Sequence, residues 1–258
     1  MSVRINTNID ALNAQRNLSM TSVAFSKSVE KLSSGLRINR AADDAAGLGI
    51  SETLRSQVNG LNQAVRNAQD GISLVQTGEG ALNEVSSMLQ RIRELAVQYN
   101  NGTNDANAQA SIQAEADALQ TTIASIGTNT KFNGVALLTA GTITLQVGAN
   151  ADETQTVTTT KLDTSAADVA DLSTIDAVIA DVSTQRAAFG AAQNALEHTV
   201  NSLTVAAENF TASESRIRDL DVASEMVKFT KTQILQQAGT AILAQANSAP
   251  QSILTLLR

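Results

Sequence analysis

Three places in the chain hold side chains whose type and spacing could support chemistry. The first is AADDAAGLGISE, Ala41–Glu52, where the adjacent carboxylates of Asp43 and Asp44 precede Gly47 and Gly49. Carboxylates beside closely spaced glycines are the raw material of a metal site or a nucleotide loop. The pattern is incomplete. No strand precedes the glycines, the third glycine of the dinucleotide fingerprint is missing, and no nearby His or Cys adds a ligand. What remains is a Gly- and Ala-rich connector between helices, where small residues let backbones approach closely. The second place is His198, the one histidine, flanked by Glu197 and Thr199. A histidine can act as a general base, but no nucleophile or orienting acid accompanies it at a recognisable spacing. The third is a set of three Asn-x-Ser/Thr triplets at Asn17, Asn101 and Asn209. These match the glycan acceptor pattern, and they also arise by chance in a chain rich in Asn, Ser and Thr. No catalytic, metal or cofactor site is expected, so the chain is not expected to be an enzyme.

A fourth stretch, LQRIRELAVQ (Leu89–Gln98), threads two arginines and a glutamate between aliphatic residues. As a helix it points Val85, Leu89, Ile92 and Ala96 inward. Met88, Arg91 and Leu95 fall three and four apart on the adjacent strip. Leu95 is one apolar residue more than a wet face needs. Either the core stripe is slightly wide, or the strip is a second interface with Leu95 as anchor and Arg91 as polar partner. On the residues alone, both readings stand.

The elements around these stretches follow from composition. Of 258 residues, 43% are hydrophobic but only 2% aromatic, with no Trp, one Tyr, five Phe and a single Pro. Much of the apolar content is Ala, which buries little area per residue. This suits long, thin helices touching through small side chains, and does not suit a pocket lined with aromatics. The net charge is −7 with scattered basic residues, which disfavours nucleic acid as a partner. There is no Cys, so disulfides and zinc-thiolate sites are excluded. No segment approaches the ~20 apolar residues of a membrane span, and the N-terminus carries no ordinary signal-peptide pattern. On those grounds alone the chain reads as cytoplasmic.

Periodicity supplies the elements. From Leu172 the apolar-favoured positions run through Ile175, Ile179, Val182, Arg186, Phe189, Gln193 and Leu196 to Phe210, every step three or four. An earlier run extends from Val58 to Ala96 and crosses Gly78, a local weak point worth about 1 kcal/mol against Ala. A short third run spans Ile112–Ile126, after a polar turn at Asn100–Asn107. The three should pack as a coiled-coil-like bundle. Ile5, Ile9 and Leu12 open a poorer seam at the N-terminus, continued at Phe25–Leu36. Ile217, Leu220, Val227, Ile234 and Ala241 form a diluted one at the C-terminus. Such narrow stripes cannot offset the entropy of ordering, so both ends are expected to be disordered in the free monomer and to fold against something else. Between them, Asn133-Gly134 marks a turn, and TITLQV (Thr142–Val147) with TQTVTTT (Thr154–Thr160) reads as a small β-hairpin, about 132–165. The expected class is mainly α: a long antiparallel coiled-coil-like helical bundle, a rod with a small central hairpin and its termini paired at one end.

These residues carry a family resemblance. INTNIDALNAQRNL (Ile5–Leu18), KLSSGLRINRAADDAAGLGISE (Lys31–Glu52), NAQDGISLVQTGEGALNEV (Asn67–Val85) and LQRIRELAVQ resemble the N-terminal part of bacterial flagellin. AAQNALEHTVNSL (Ala191–Leu203), AAENFTASESRIRDLDVASEM (Ala206–Met226) and ILAQANSAPQSILTLLR (Ile242–Arg258) resemble its C-terminal part. The match covers about 1–138 and 175–258. Only about Thr139–Thr174 remains for the central region, so the chain looks like a near-minimal flagellin. The resemblance implies a subunit that polymerises into the extracellular filament that propels the cell. It implies an inner-tube coiled-coil domain of about 1–42 and 219–258, unfolded in the monomer, and an outer-tube bundle of about 43–218. Within the inner tube, the packing residues would be Ile5, Ile9, Leu12, Val227, Ile234, Leu254 and Leu257. It implies export through the flagellar type III apparatus without a cleaved signal peptide, which replaces the cytoplasmic reading. It implies a chaperone on the C-terminal segment, and cap and hook–filament junction proteins at the filament ends. It implies recognition by the animal flagellin-sensing Toll-like receptor, with Gln90, Arg91 and Leu95 matching the family's epitope and Glu115 joining them from the next helix. The same surface would be buried between stacked subunits. A hook–filament junction protein with flagellin-like termini is the alternative identity.

Overall fold

The computed structural model describes residues 7–161 and 168–256, with side chains described to Ala249. Five helices carry the chain: α1 (Ile9–Ser34), α2 (Ala45–Tyr99), α3 (Ala106–Asn129), α4 (Leu172–Arg218) and α5 (Val222–Leu256). Their starts share one device. Asn8 accepts from the Ala11 N–H, Asp44 from Gly47, Asp105 from Ala108, Asp171 from Ser173 and Asp221 from Ser224. A short acceptor at this position satisfies one of the four N–H groups that a helix start leaves orphaned. α1 stops at Gly35, whose φ of 73° is the left-handed conformation that glycine reaches without penalty.

The chain divides into two compact units, one made of Met1–Arg55 with Phe210–Arg258 and the other of Ser56–Asn209. In the second unit, a single buried cluster gathers Leu82, Leu89, Ile92 and Leu95 of α2, Ile112, Ala116 and Ile123 of α3, and Ile175, Val182 and Phe189 of α4. Two small antiparallel ladders complete it. β1 (Lys131–Phe132) pairs with β2 (Val135–Ala136) around Asn133 and Gly134, whose φ values of 48° and 83° are both left-handed, as an Asn-Gly hairpin turn requires. β3 (Gly141–Gln146) pairs with β4 (Thr154–Thr159), with Ile143 opposite Val157 and Thr144 opposite Thr156. Val157 and Thr159 face the core, while Thr154, Thr156 and Thr158 face outward. This is the two-residue alternation read from the sequence. The stretch 162–165, included in the expected hairpin, lies outside the described residues.

Two details of the packing differ from the periodic reading. On α4 the buried positions from Ile175 to Phe189 are Ile175, Val178, Val182, Gln185 and Phe189, so Val178 and Gln185 take the places expected of Ile179 and Arg186. The reason is the hairpin: Gln185 Nε2 donates to the Thr158 carbonyl at 3.2 Å, which turns that side of α4 inward. On α2 the helix runs through Gly78 without a break. Gly78 is not a weak point but a seat, because a Cβ there would stand 2.7 Å from Phe189 Cε2. Gly71 likewise makes room for Leu145 of β3, whose Cδ1 would lie 2.4 Å from an added Cβ.

In the first unit α1 and α5 lie side by side and antiparallel. Asn8 Nδ2 donates to the Ala246 carbonyl at 2.6 Å, and Phe25 stacks on Phe229 with ring centroids 5.1 Å apart. Past the end of α1, a short backbone clamp joins the chain to the end of α4. Arg37 N–H donates to the Arg218 carbonyl at 2.7 Å, Leu220 N–H to the Gly35 carbonyl at 3.0 Å, and Arg37 Nη2 to the Ile217 carbonyl at 2.6 Å. The two bonds from Arg37 satisfy carbonyls that α4 leaves open at its C-terminus, and the bond from Leu220 satisfies the Gly35 carbonyl just past α1.

Candidate interaction surfaces

The surface around LQRIRELAVQ is bracketed by its two arginines. Arg91 Nε and Nη2 donate to Glu115 Oε1 of α3 at 3.0 and 2.9 Å, and Nη1 donates to Glu94 at 3.1 Å. Arg93 Nε donates to Asp176 Oδ1 of α4 at 2.7 Å, a bond that holds the Asp176 carboxyl below its ordinary range. At 100° per residue, Arg91 and Arg93 stand on opposite sides of Ile92. The arc between them holds Leu89, Ile92, Leu95 and Ala96, and all four are buried. Leu95 is only 2% exposed. It belongs to the core, not to the strip beside it, because α2 meets two helices here and a two-sided contact buries a wider arc than one seam. Gln90, Arg91 and Glu115 are exposed, so the solvent-facing surface here is polar, and Leu95 is buried beside it.

The second surface is on the α1–α5 pair. The half-buried and buried positions of α1 include Ala14, Leu18, Thr21, Phe25, Ser28 and Leu32, and those of α5 include Glu225, Phe229, Thr232, Gln236, Gly239, Leu243 and Ala246. Both alternate steps of three and four, the heptad rule of a two-helix seam. Most of these side chains are small or polar. Leu18, Leu32 and Leu243 are the seam's aliphatics, but many others point elsewhere: Ile9, Leu12, Met20 and Val23 of α1 are exposed, as are Met226, Val227, Ile234, Leu235 and Ile242 of α5, with Val227 at 70% and Ile234 at 59%. Met226, Val227, Thr230, Lys231, Ile234 and Leu235 line an open apolar groove along α5. Ile9, Leu12, Val227 and Ile234, the described residues among those expected to pack the inner tube, therefore do not form the seam within the pair. Leu254 lies in the last turn of α5 with its side chain outside the described residues, and Ile5 and Leu257 lie outside them altogether.

The remaining chemical candidates have structural employment or none. Asp43 Oδ2 accepts from the backbone of Arg40 at 3.1 Å and Asn39 at 3.3 Å. The Arg40 and Asn39 N–H bonds hold its carboxyl below the usual range. Asp44 caps α2, and Gly47 packs so closely that an added Cβ would lie 2.8 Å from Ile38 Cδ1. The glycines of Ala41–Glu52 thus open a helix rather than form a connector. His198 is exposed on α4. Among the described residues no three His, Cys, Asp or Glu side chains are grouped to hold a metal, and no helix is long and apolar enough to cross a membrane.

Comparison with known proteins accounts for this arrangement. Residues 5–144 match the family model described as the bacterial flagellin N-terminal helical region, and 172–257 match the bacterial flagellin C-terminal helical region. A flagellin of Halalkalibacterium halodurans is 52% identical, with 98% of this chain and 99% of the relative aligned. A flagellin of Bacillus subtilis is 48% identical over 99% of this chain and its own whole length. A crystal structure of Bacillus cereus flagellin, 32% identical, superposes with a TM-score of 0.50 over 58% of this chain and 94% of its own. The paired terminal helices, the bundle with its small hairpin and the matches at both ends agree, and the chain belongs to the bacterial flagellins, a family of structural filament proteins rather than enzymes.

Proposed function

We propose that this chain assembles with copies of itself into the extracellular helical filament of the bacterial flagellum, and that the outward apolar faces of α1 and α5 are what neighbouring copies cover. The observation that carries the proposal is the apolar surface that the terminal pair leaves uncovered: the seam is mostly small or polar residues with a few large apolar ones, while Ile9, Leu12, Val227 and Ile234 lie outside it, each more than half exposed. A pair with this distribution buries little apolar area on its own, and burial of apolar surface is the main favourable term in association. Residues 1–42 and 219–258 form the inner tube in this reading and 43–218 the outer bundle. Because the pair is weakly stabilised alone, its helices are disordered in the free subunit and order on assembly.

The finer partners belong to the same proposal. A chaperone would hold the C-terminal segment before export through the flagellar type III apparatus, without cleavage of a signal peptide. Cap and hook–filament junction proteins would meet the subunits at the ends. The animal flagellin-sensing Toll-like receptor would read Gln90, Arg91 and Glu115 directly. Leu95 would act by supporting them, since it is 2% exposed.

Seeded polymerisation followed by electron microscopy and circular dichroism tests the core of this. Long filaments, with helicity rising sharply on assembly, are expected. Short or absent filaments would favour a hook–filament junction protein instead, and equal helicity before and after would end the disorder claim.

A further inference from the structure

We propose that the buried pair Ser28–Glu225 is a register lock, fixing which turn of α1 meets which turn of α5. Ser28 Oγ donates to Glu225 Oε1 at 2.6 Å, and Lys228 Nζ donates to Oε2 at 3.1 Å. Glu225 is 5% exposed and Ser28 equally so. The charged groups facing the carboxylate are Lys228 from its own helix and Lys31 from α1.

The seam needs such a device because its apolar residues discriminate poorly. Sliding α1 by one heptad places Phe229 against Leu18 in one direction and against Leu32 in the other, so an apolar contact survives both ways. The carboxylate does not tolerate the slide. One direction sets Glu225 against Gly35–Leu36, with no side-chain donor. The other sets it against Thr21, whose hydroxyl is already given to the Asn17 carbonyl at 2.8 Å, and takes Lys31 a heptad away. Lys228 moves with Glu225 on α5, so either slide costs the carboxylate its buried donor from α1, and burying it without that bond is disfavoured. A single buried polar residue in a coiled-coil seam specifies register by this means. Glu225 also lies within the first turns of α5, where a negative charge is favoured by the helix dipole. Either slide also opens the adjacent clamp of Gly35–Arg37 on Ile217–Leu220, so clamp and lock add: the clamp fixes where α1 and α5 begin to pair, and Ser28–Glu225 holds the register further along the seam.

The chain lacks cysteine, which makes the register directly readable. An added Cβ at Gly239 would stand 3.8 Å from Leu18 Cβ, the spacing a disulfide favours. The pair L18C/G239C reports the native register, while L18C/T232C and L18C/A246C report the two one-heptad slips. The measurement is made on seeded filaments, and so rests on the assembly proposed above. Failure of the reference L18C/G239C chain to form filaments under reducing conditions would count against that proposal and against the disorder of the free pair that belongs to it, and the lock is then read in the soluble chain. With Glu225 intact, the native cross-link dominates. Replacing Glu225 by Leu removes the polar requirement, and the native-to-slipped ratio falls by about tenfold, in line with the loss of charged hydrogen bonds. Glu225→Gln keeps an acceptor for Ser28 and retains most of the preference. An unchanged ratio in E225L, with filaments still formed, would overturn the lock. If E225L does not assemble, Ser28→Ala provides the second reading: a lower ratio supports the lock, an unchanged one overturns it.

Discussion

Phe189 of α4 lays the edge of its ring over Gly78 of α2, and a side chain on that glycine would stand 2.7 Å from Phe189 Cε2. Two residues further on, Gly80 sits on the same helix with nothing within 4 Å of an added Cβ. The two glycines are therefore a matched test of packing against propensity. Gly80→Ala should stabilise the chain by ~0.5–1 kcal/mol, the helix preference of Ala over Gly. Gly78→Ala has the same gain, but displacing a fully buried ring costs ~1–3 kcal/mol, so it should be neutral to destabilising. Urea denaturation followed by circular dichroism resolves the sign.

Arg91 and Leu95 should separate in the same way. Leu95→Ala removes a buried core side chain and should cost ~2–5 kcal/mol. Arg91→Ala breaks exposed ion pairs to Glu94 and Glu115, whose stability contribution is ~0–1 kcal/mol. If the Gln90–Arg91–Glu115 face is what a receptor reads, Arg91→Ala lowers signalling with melting unchanged, while Leu95→Ala lowers both together. Loss of signalling in Leu95→Ala without loss of stability would show that Leu95 is contacted directly.

The outward face of α5 should matter to assembly and not to the isolated chain. Val227→Asp with Ile234→Asp alters residues that are 70% and 59% exposed, so the thermal unfolding of the soluble subunit should move by no more than ~0.5 kcal/mol. Filament yield after seeding should collapse, because each charge would be buried without a partner. Normal filaments from this variant would refute the proposed covering of that face.

Acid should weaken the terminal pair. Burial pushes the Glu225 carboxyl up, but hydrogen bonds from Ser28 and Lys228 and the charges of Lys228 and Lys31 outweigh it and hold it below its ordinary 4.5. The unfolded chain then binds the proton more tightly than the folded one, so stability rises with pH across the gap. The contribution is fully present above 4.5 and is lost as pH falls through the depressed folded value. Filament dissociation measured by sedimentation from pH 6 to pH 3 should be steeper in the native chain than in Glu225→Gln. Parallel profiles would remove Glu225 from the account.

Much of this architecture was legible from the residues. The steps of three and four from Leu172 announce α4, Asn133-Gly134 announces its turn, and the alternation in TITLQV announces β3. What was hidden has a common cause: positions whose burial depends on a second partner. Leu95 falls outside a one-sided seam and inside a two-sided one, which only the positions of α3 and α4 reveal. The periodic run placed Arg186 in the seam and passed over Gln185, yet Gln185 is the buried one, with the Thr158 carbonyl of the hairpin as its partner. At the ends, the apolar residues Ile9, Leu12, Val227 and Ile234 were found readily, but the helix pair turns them outward and seals itself through Ala14, Phe25, Ser28 and Glu225. Periodicity finds a stripe, and it does not say which of two neighbours the stripe will meet.

The hydrogen bond from Asn8 to the Ala246 carbonyl joins residues 238 positions apart. α1 is thus paired with α5, and it has no native mate until α5 exists. Closing so long a loop comes after local contacts have formed. The bundle of Ser56–Asn209 can fold before the terminal pair forms, while the pair waits for α5 and, in the assembly proposed above, for neighbouring copies.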